Sequence, residues 1–397
     1  MAQANAMGLD PCRYLDCSAT TPLAPAVQQA IQACQHHAWA NPSSLHGFGL
    51  QAAEQLERQR QRLGELLGCQ TGRVVFTSGG TEAIHLALLG MAKPLAPDSR
   101  LLISSVEHPA TLAAAEQLKR AGWQVQPLPV DQQGVVDLEQ LERLLVPPTR
   151  LVSMIWGQSE VGTLQPIERI GALCRQAGIP LHVDAVQVVG HRPIAFDNLP
   201  VDLLSLAAHK LQGPRGIGAL LMRQGMELQP LLGGGGQEGG LRAGTEPVDL
   251  VTGLVTALEL SQRRLQSNGD RDPTAPLRDA LLQRLLDLPG LSLTGPDPRA
   301  HGADSRLPHH ISLLAHSPEG KPLAGRQLVQ ELWSDGWAIS SGSACSSGHQ
   351  QPSPVLLAMG YSAAEAQAGV RISLGSWHGE ALLDQLPMAL GRAMARC

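Results

Sequence analysis

Aromatic residues are scarce in this chain of 397 residues, at 3%, with two tyrosines and three phenylalanines. That leaves little material for a platform on which nucleic-acid bases could stack. The net charge of −5 also argues against a nucleic-acid-binding surface. No uninterrupted apolar run reaches the roughly 20 residues that a membrane-spanning helix needs. The opening stretch MAQANAMGLDPCRYLD lacks a basic start followed by an apolar core, so no secretory signal is expected. Cysteines occur at 12, 17, 34, 69, 174, 345 and 397, with no C-x-x-C pair and no zinc spacing, so no metal site is expected. An odd, scattered set of thiols fits a reducing, cytoplasmic compartment. No G-x-G-x-x-G follows the first strand-like segment, which disfavours a nicotinamide-dependent enzyme.

Short apolar strands alternate with helical patterns: RVVFT (73–77), RLLISS (100–105), LVSMIW (151–156), IPLHVDA (179–185), DLLSLAA (202–208) and GIGALLMR (216–223). This alternation predicts an α/β fold, with a mostly parallel sheet covered by helices on both faces. Ligands in such sheets sit at the carboxyl ends of the strands. An exposed connection, SNGDRDPTAP (267–276), precedes a second αβ region with a helix over 277–288, a strand HHISLLA (309–315) and a helix over 324–336. A boundary between two units is expected near 260–265.

Lysine is also rare, present at 93, 119, 210 and 321. Lys93 and Lys119 end helical patterns, and Lys321 lies in a Gly-Pro loop. Lys210 follows an apolar strand in DLLSLAAHKLQGPRG, where desolvation lowers an amine's pKa and suits it to a Schiff base. Taken singly, a strand-end lysine that reaches solvent explains the pattern equally well. Asp184 also ends an apolar strand, in IPLHVDAVQ. A buried carboxylate needs a cationic or hydrogen-bonding partner, and the pyridinium nitrogen of pyridoxal phosphate (PLP) is one. The SGGTE turn after RVVFT opens a helix, so its N–H groups and the Thr81 hydroxyl suit a phosphate. His108 in EHPAT offers a ring to stack on a flat cofactor, or a helix cap. ISSGSACSSGHQQPSP (339–354) sets Cys345 among small residues of a loop, poor surroundings for a structural cysteine.

Several collinear segments then carry a resemblance. YLDCSATTP (14–22), NPSSLHGFG (41–49), VVFTSGGTE (74–82), SEVG (159–162), HVDAVQ (182–187), HK with GPRGIGAL (209–220), GGGQEGGLRAGT (234–245), SSGSACSSG (340–348) and RISLG (371–375) span nearly the whole chain. It resembles the NifS/IscS-type cysteine desulfurases, group I of the class V aminotransferase family. The resemblance implies PLP fold type I, with a large domain (21–262) built on a mostly parallel seven-stranded sheet between helices. A smaller αβ domain (1–20 with 263–397) would carry the cysteine loop. It implies PLP on Lys210 as a Schiff base, Asp184 at the pyridinium nitrogen, and Gln187 and position 159 at the phenolic oxygen. His108 would stack on the ring and move protons. Gly80, Thr81 and His209 would hold the phosphate, with Thr245 reaching over from a second subunit of a homodimer. Arg371 would clamp the substrate carboxylate, with Asn41 nearby.

The implied reaction takes L-cysteine to L-alanine. Lys210 removes the α-proton, and Cys345 attacks the substrate sulfur and keeps it as a persulfide. A sulfur-acceptor protein, serving iron–sulfur cluster or other sulfur biosynthesis, would follow. Alternatives are a related PLP carbon–sulfur or selenocysteine lyase, or a non-catalytic sulfur-handling partner protein. Three positions depart from the family: Ser159 replaces the usual asparagine, Ala207 a serine that bonds the phosphate, and Cys17 the usual aromatic or asparagine.

Overall fold

The computed structural model describes residues 9–342 and 351–397. Cys345 lies outside the described residues. The larger sheet contains β1 (Arg73–Thr77), β2 (Arg100–Ser104), β3 (Gln124–Leu128), β4 (Thr149–Ile155), β5 (Leu181–Asp184), β6 (Leu203–Ala207) and β7 (Gly218–Met222). Their spatial order is β1-β7-β6-β5-β4-β2-β3. Pairing is parallel from β6 across to β3, while β7 runs antiparallel to both β1 and β6. A second sheet has the order β10 (Ser340–Ser341), β11 (Gly369–Ser373), β9 (His310–Ala315), β8 (Leu291–Leu293), all antiparallel.

The central strands are buried on both faces, so they read as continuous apolar runs such as LLSLA. The strand Gln124–Leu128 was not among the expected ones. It lies at the sheet edge and carries two glutamines and a proline, which an edge tolerates. Helices Gly47–Leu67 and Ile167–Ala177 each stop at a glycine with positive φ, Gly68 (62°) and Gly178 (66°), the left-handed stop that only glycine adopts without strain.

Two large apolar cores stand out among five buried clusters of the described residues. One runs from Ala24 to Leu258, with Leu307 added, and fills one side of the large sheet. The other joins Leu15 to residues between Leu281 and Ala393 around the small sheet. A bridging cluster packs Val106, Ile155 and Val161 against Leu314, Val355 and Leu356. The helix Val248–Gln266 runs through the boundary expected near 260–265. Residues 14–21 span both halves. Tyr14 and Asp16 form bridges to Ala338 and Ser373 at the small sheet, and Thr21 donates from N and Oγ1 to the His209 carbonyl, both at 2.9 Å.

Candidate active site

The carboxyl ends of β2, β4, β5 and β6 open onto one site. Lys210 ends the single turn Ala208–Lys210 that follows β6. Its ammonium donates to the carbonyls of Ser18 at 2.5 Å and Ala19 at 2.8 Å. Gln187 Nε2 donates to the same Ser18 carbonyl at 2.9 Å, which ties the two side chains to one point. His209 Nδ1 and the Thr20 hydroxyl share a hydrogen bond of 3.2 Å, and burial lowers the His209 pKa to about 4, with Lys210 and Arg215 adding to the shift.

Asp184 closes β5 and is 4% exposed. Val186 N donates to its Oδ1 at 3.0 Å. Burial pushes its carboxyl up, and the charges of His108 and Lys210 oppose that. Burial lowers the pKa of His108. His108 Nδ1 accepts from Ala110 N at 3.1 Å as the cap of the helix Pro109–Arg120, so the neutral ring carries its proton on Nε2. Beneath them lies Glu107, also 4% exposed. Its Oε1 accepts from the Ser104 hydroxyl at 2.6 Å and from Ile155 N at 2.8 Å, while Oε2 is buried without a partner among the described residues. Burial first, and the Asp184 charge to a lesser extent, push the Glu107 carboxyl up to about 8.

These residues fit pyridoxal phosphate. Asp184 is a desolvated carboxylate that a protonated ring nitrogen would stabilise. The helix Gly80–Ala92 begins without a side-chain cap, which leaves first-turn N–H groups for a phosphate. A side chain on Gly80 would meet Val186 Cγ2 at 2.7 Å, so glycine keeps that approach open.

Arg371 sits on β11 with a side chain 6% exposed. Its Nη2 donates to Asp16 Oδ1 at 2.7 Å and its Nη1 to the Ser159 carbonyl at 3.0 Å, while Nε is buried without a partner among the described residues. His310 Nε2 lies 3.1 Å from the same Ser159 carbonyl. The segment 16–18 therefore touches Arg371 at one end and Lys210 at the other. Asn41 and Thr245 are both exposed and line a cavity of about 420 Å³ with Trp39 and Pro247. Asn41 Oδ1 accepts from Ser43 N at 2.9 Å, and among the described residues no hydrogen bond joins it to Arg371.

Sequence reasoning assigned no role to Asp16, Ser18, Thr20 or Glu107. Each lies inside or beside a motif it did quote, YLDCSATTP or EHPAT, and that adjacency was the available signal.

Residues 13–386 match the model of the family described as aminotransferase class-V. The chain is 36% identical over 364 residues to a cysteine desulfurase IscS from Dictyoglomus turgidum, covering 91% of this chain and 89% of the relative. A solved structure of a NifS-like protein superimposes with a TM-score of 0.86 at 31% identity, over 97% of this chain and 99% of the other. A structure described as SspA in complex with cysteine gives 0.78 at 32% identity, over 92% and 100%. The chain belongs to the class-V aminotransferase family, in its NifS/IscS-type cysteine desulfurase branch.

Proposed function

We propose that this PLP-dependent enzyme desulfurates L-cysteine to L-alanine and keeps the sulfur as a persulfide on Cys345. The observation that carries the reading is the segment Asp16–Thr21. It holds the Arg371 guanidinium through Asp16 and the Lys210 ammonium through Ser18 and Ala19, so a carboxylate clamp and a lysine base share one scaffold.

When bound, PLP acts as an electron sink that stabilises negative charge at the substrate α-carbon. Arg371 is oriented by Asp16 and the Ser159 carbonyl, and its Nε remains to donate to the substrate carboxylate. Lys210 would hold the cofactor, and its Nζ would take the substrate α-proton. The Ser18 and Ala19 carbonyls are acceptors for that protonated amine. Asp184 would keep the cofactor's ring nitrogen protonated. His108 would stack on the cofactor ring, with its Nε2 proton available for transfer. Gln187 and Ser159 would hold the phenolic oxygen, and Gly80, Thr81 and His209 would hold the phosphate. Cys345 would supply the thiolate that attacks the substrate sulfur as the substrate Cβ–S bond breaks, its electron pair staying on the three-carbon fragment that is protonated and leaves as alanine.

Thr245 reaches a partner's phosphate site in a homodimer. Its exposure, and its place in a cavity apart from Lys210, support this reading. The two apolar cores support a large unit over 21–262 and a small one from 1–20 with 263–397. A sulfur-acceptor protein takes the persulfide for iron–sulfur cluster or other sulfur biosynthesis. The described cysteines are free thiols, which supports a cytoplasmic setting, and no described helix is long and apolar enough to cross a membrane.

The test is alanine release from L-cysteine by the purified protein, with absorbance recorded before and after substrate and mass spectrometry of Cys345. A protein that releases no alanine, or loads sulfur elsewhere than on Cys345, would refute the reading.

A further inference from the structure

Glu160 is 8% exposed and has no part in the site described above. Gln158 shapes the turn that presents it: Gln158 Oε1 accepts from Glu160 N at 2.5 Å and from Val161 N at 2.9 Å, and Gln158 Nε2 donates to the Val106 carbonyl at 3.2 Å. The turn points the Ser159 carbonyl at Arg371 and sends the Glu160 side chain toward the end of β10.

Three observations converge on that carboxyl. Ser353, fully buried, donates its hydroxyl to Glu160 while accepting from Leu356 N at 3.1 Å as the cap of the helix Pro354–Ala358. Gly342, just beyond β10, lies flat against it: a methyl group placed there would fall 2.5 Å from Glu160 Oε1 and 3.0 Å from Cδ. Oε1 itself is buried and has no hydrogen-bond partner among the described residues. Arg371, on β11, is the charged group that faces it. Burial pushes the carboxyl up to about 7, against the opposing Ser353 hydrogen bond and Arg371 charge.

We propose that Glu160 is a positioning residue for sulfur transfer. Its carboxyl joins Gly342 and Ser353, which bracket the stretch of chain containing Cys345, to the turn whose carbonyl orients Arg371. One side chain thereby sets the spacing between the substrate clamp and the two points from which the nucleophile's segment departs. This rests on the desulfurase reading.

The experiment uses the full-length holoenzyme and four variants: Glu160→Gln, Glu160→Ala, Gly342→Ala and the double variant E160A/G342A. Two rates are read, alkylation of Cys345 by iodoacetamide and sulfur loading onto Cys345 from L-cysteine, together with kcat, KM and melting temperature. Glu160→Ala is expected to slow sulfur loading by about tenfold, within the range of coupling between touching residues, and to change the alkylation rate. Glu160→Gln keeps the shape and an oxygen for Ser353, so it should restore most of both. Gly342→Ala alone should be impaired, yet add nothing to Glu160→Ala, because the carboxyl it strikes is gone. Glu160→Ala at parental rates, a Gly342→Ala effect that simply adds, or no rescue by Glu160→Gln at unchanged melting temperature would each overturn the proposal. If the parent protein releases no alanine, the desulfurase reading fails instead, and the alkylation rates still report on Glu160.

Discussion

The Asp16 carboxylate lies 2.7 Å from the Arg371 guanidinium and occupies one edge of the group proposed to bind the substrate carboxylate. Substrate must therefore share the guanidinium with a resident anion. Arg371→Lys removes the planar fork and should raise KM for L-cysteine by about tenfold to a hundredfold, the value of a charged hydrogen bond. Asp16→Asn keeps an acceptor oxygen but removes the competing charge, so KM should fall a few-fold. Steady-state alanine release measures both. A rise in KM for Asp16→Asn as large as that for Arg371→Lys would mean that the orienting role of Asp16 outweighs any competition with substrate.

Lys210→Ala should lose turnover and the absorbance of lysine-linked PLP, because no other lysine is placed at the end of a central strand. Cys345→Ser should retain that absorbance and its change on adding L-cysteine, yet carry no added sulfur. Intact-mass measurement distinguishes the two. Sulfur found on Cys17 in the Cys345→Ser variant would contradict the assignment.

Ala207 is 1% exposed, and its Cβ would lie 3.6 Å from a Cβ placed on Gly80, so it borders the phosphate end of the helix. A serine there gains a donor toward a bound phosphate, worth about 1.5–3 kcal/mol if fully made. Ala207→Ser should slow PLP loss during dialysis against a scavenging amine, and Ser159→Asn should add to it. Without cofactor the same serine hydroxyl is buried unpaired, so the apo form of Ala207→Ser should melt lower than apo parent. Equal rates of PLP loss in the parent and the double variant would show that these positions do not set retention.

Glu107 makes stability depend on pH. Folding raises its carboxyl from 4.5 to about 8, so the native state holds that proton more tightly. Its favourable contribution is complete below about 4.5 and is lost as pH rises through about 8. Glu107→Gln cannot ionise. Across that window the melting temperature of the parent should therefore fall relative to Glu107→Gln, by several degrees at the alkaline end. A difference in melting temperature that stays flat with pH would show that Glu107 does not titrate there.

Strands buried on both faces were legible because they leave unbroken apolar runs, as GALLM does at Gly218–Met222. The expected LVSMIW lacked two residues at its start, Thr149 and Arg150, whose polar side chains hide a strand continuing outward. Lys210 and Asp184 could be picked out because each ends such a run. Asp16 and Ser18 could not, since their partners lie 355 and 192 residues away along the chain. Glu160 was hidden for a similar reason: its chemistry comes from Gly342 and Ser353, and nothing local to SEVG foretells them. Asn41 shares a cavity with Thr245, a pairing of two exposed segments that no periodicity encodes.

The segment 14–21 also bears on how the chain is made. It is synthesised early, yet Ser18 N bonds to Ser373 Oγ, a partner 355 residues later, and Leu15 belongs to a core drawn otherwise from Leu281 onward. During translation Ser18 has no native partner on the small sheet until the residues around Ser373 have emerged. Such late closure is slow and leaves apolar surface waiting for its match. The lysine and the clamp cannot be brought into register before that closure, so a ribosome-bound chain with a finished large sheet should still be unable to bind substrate.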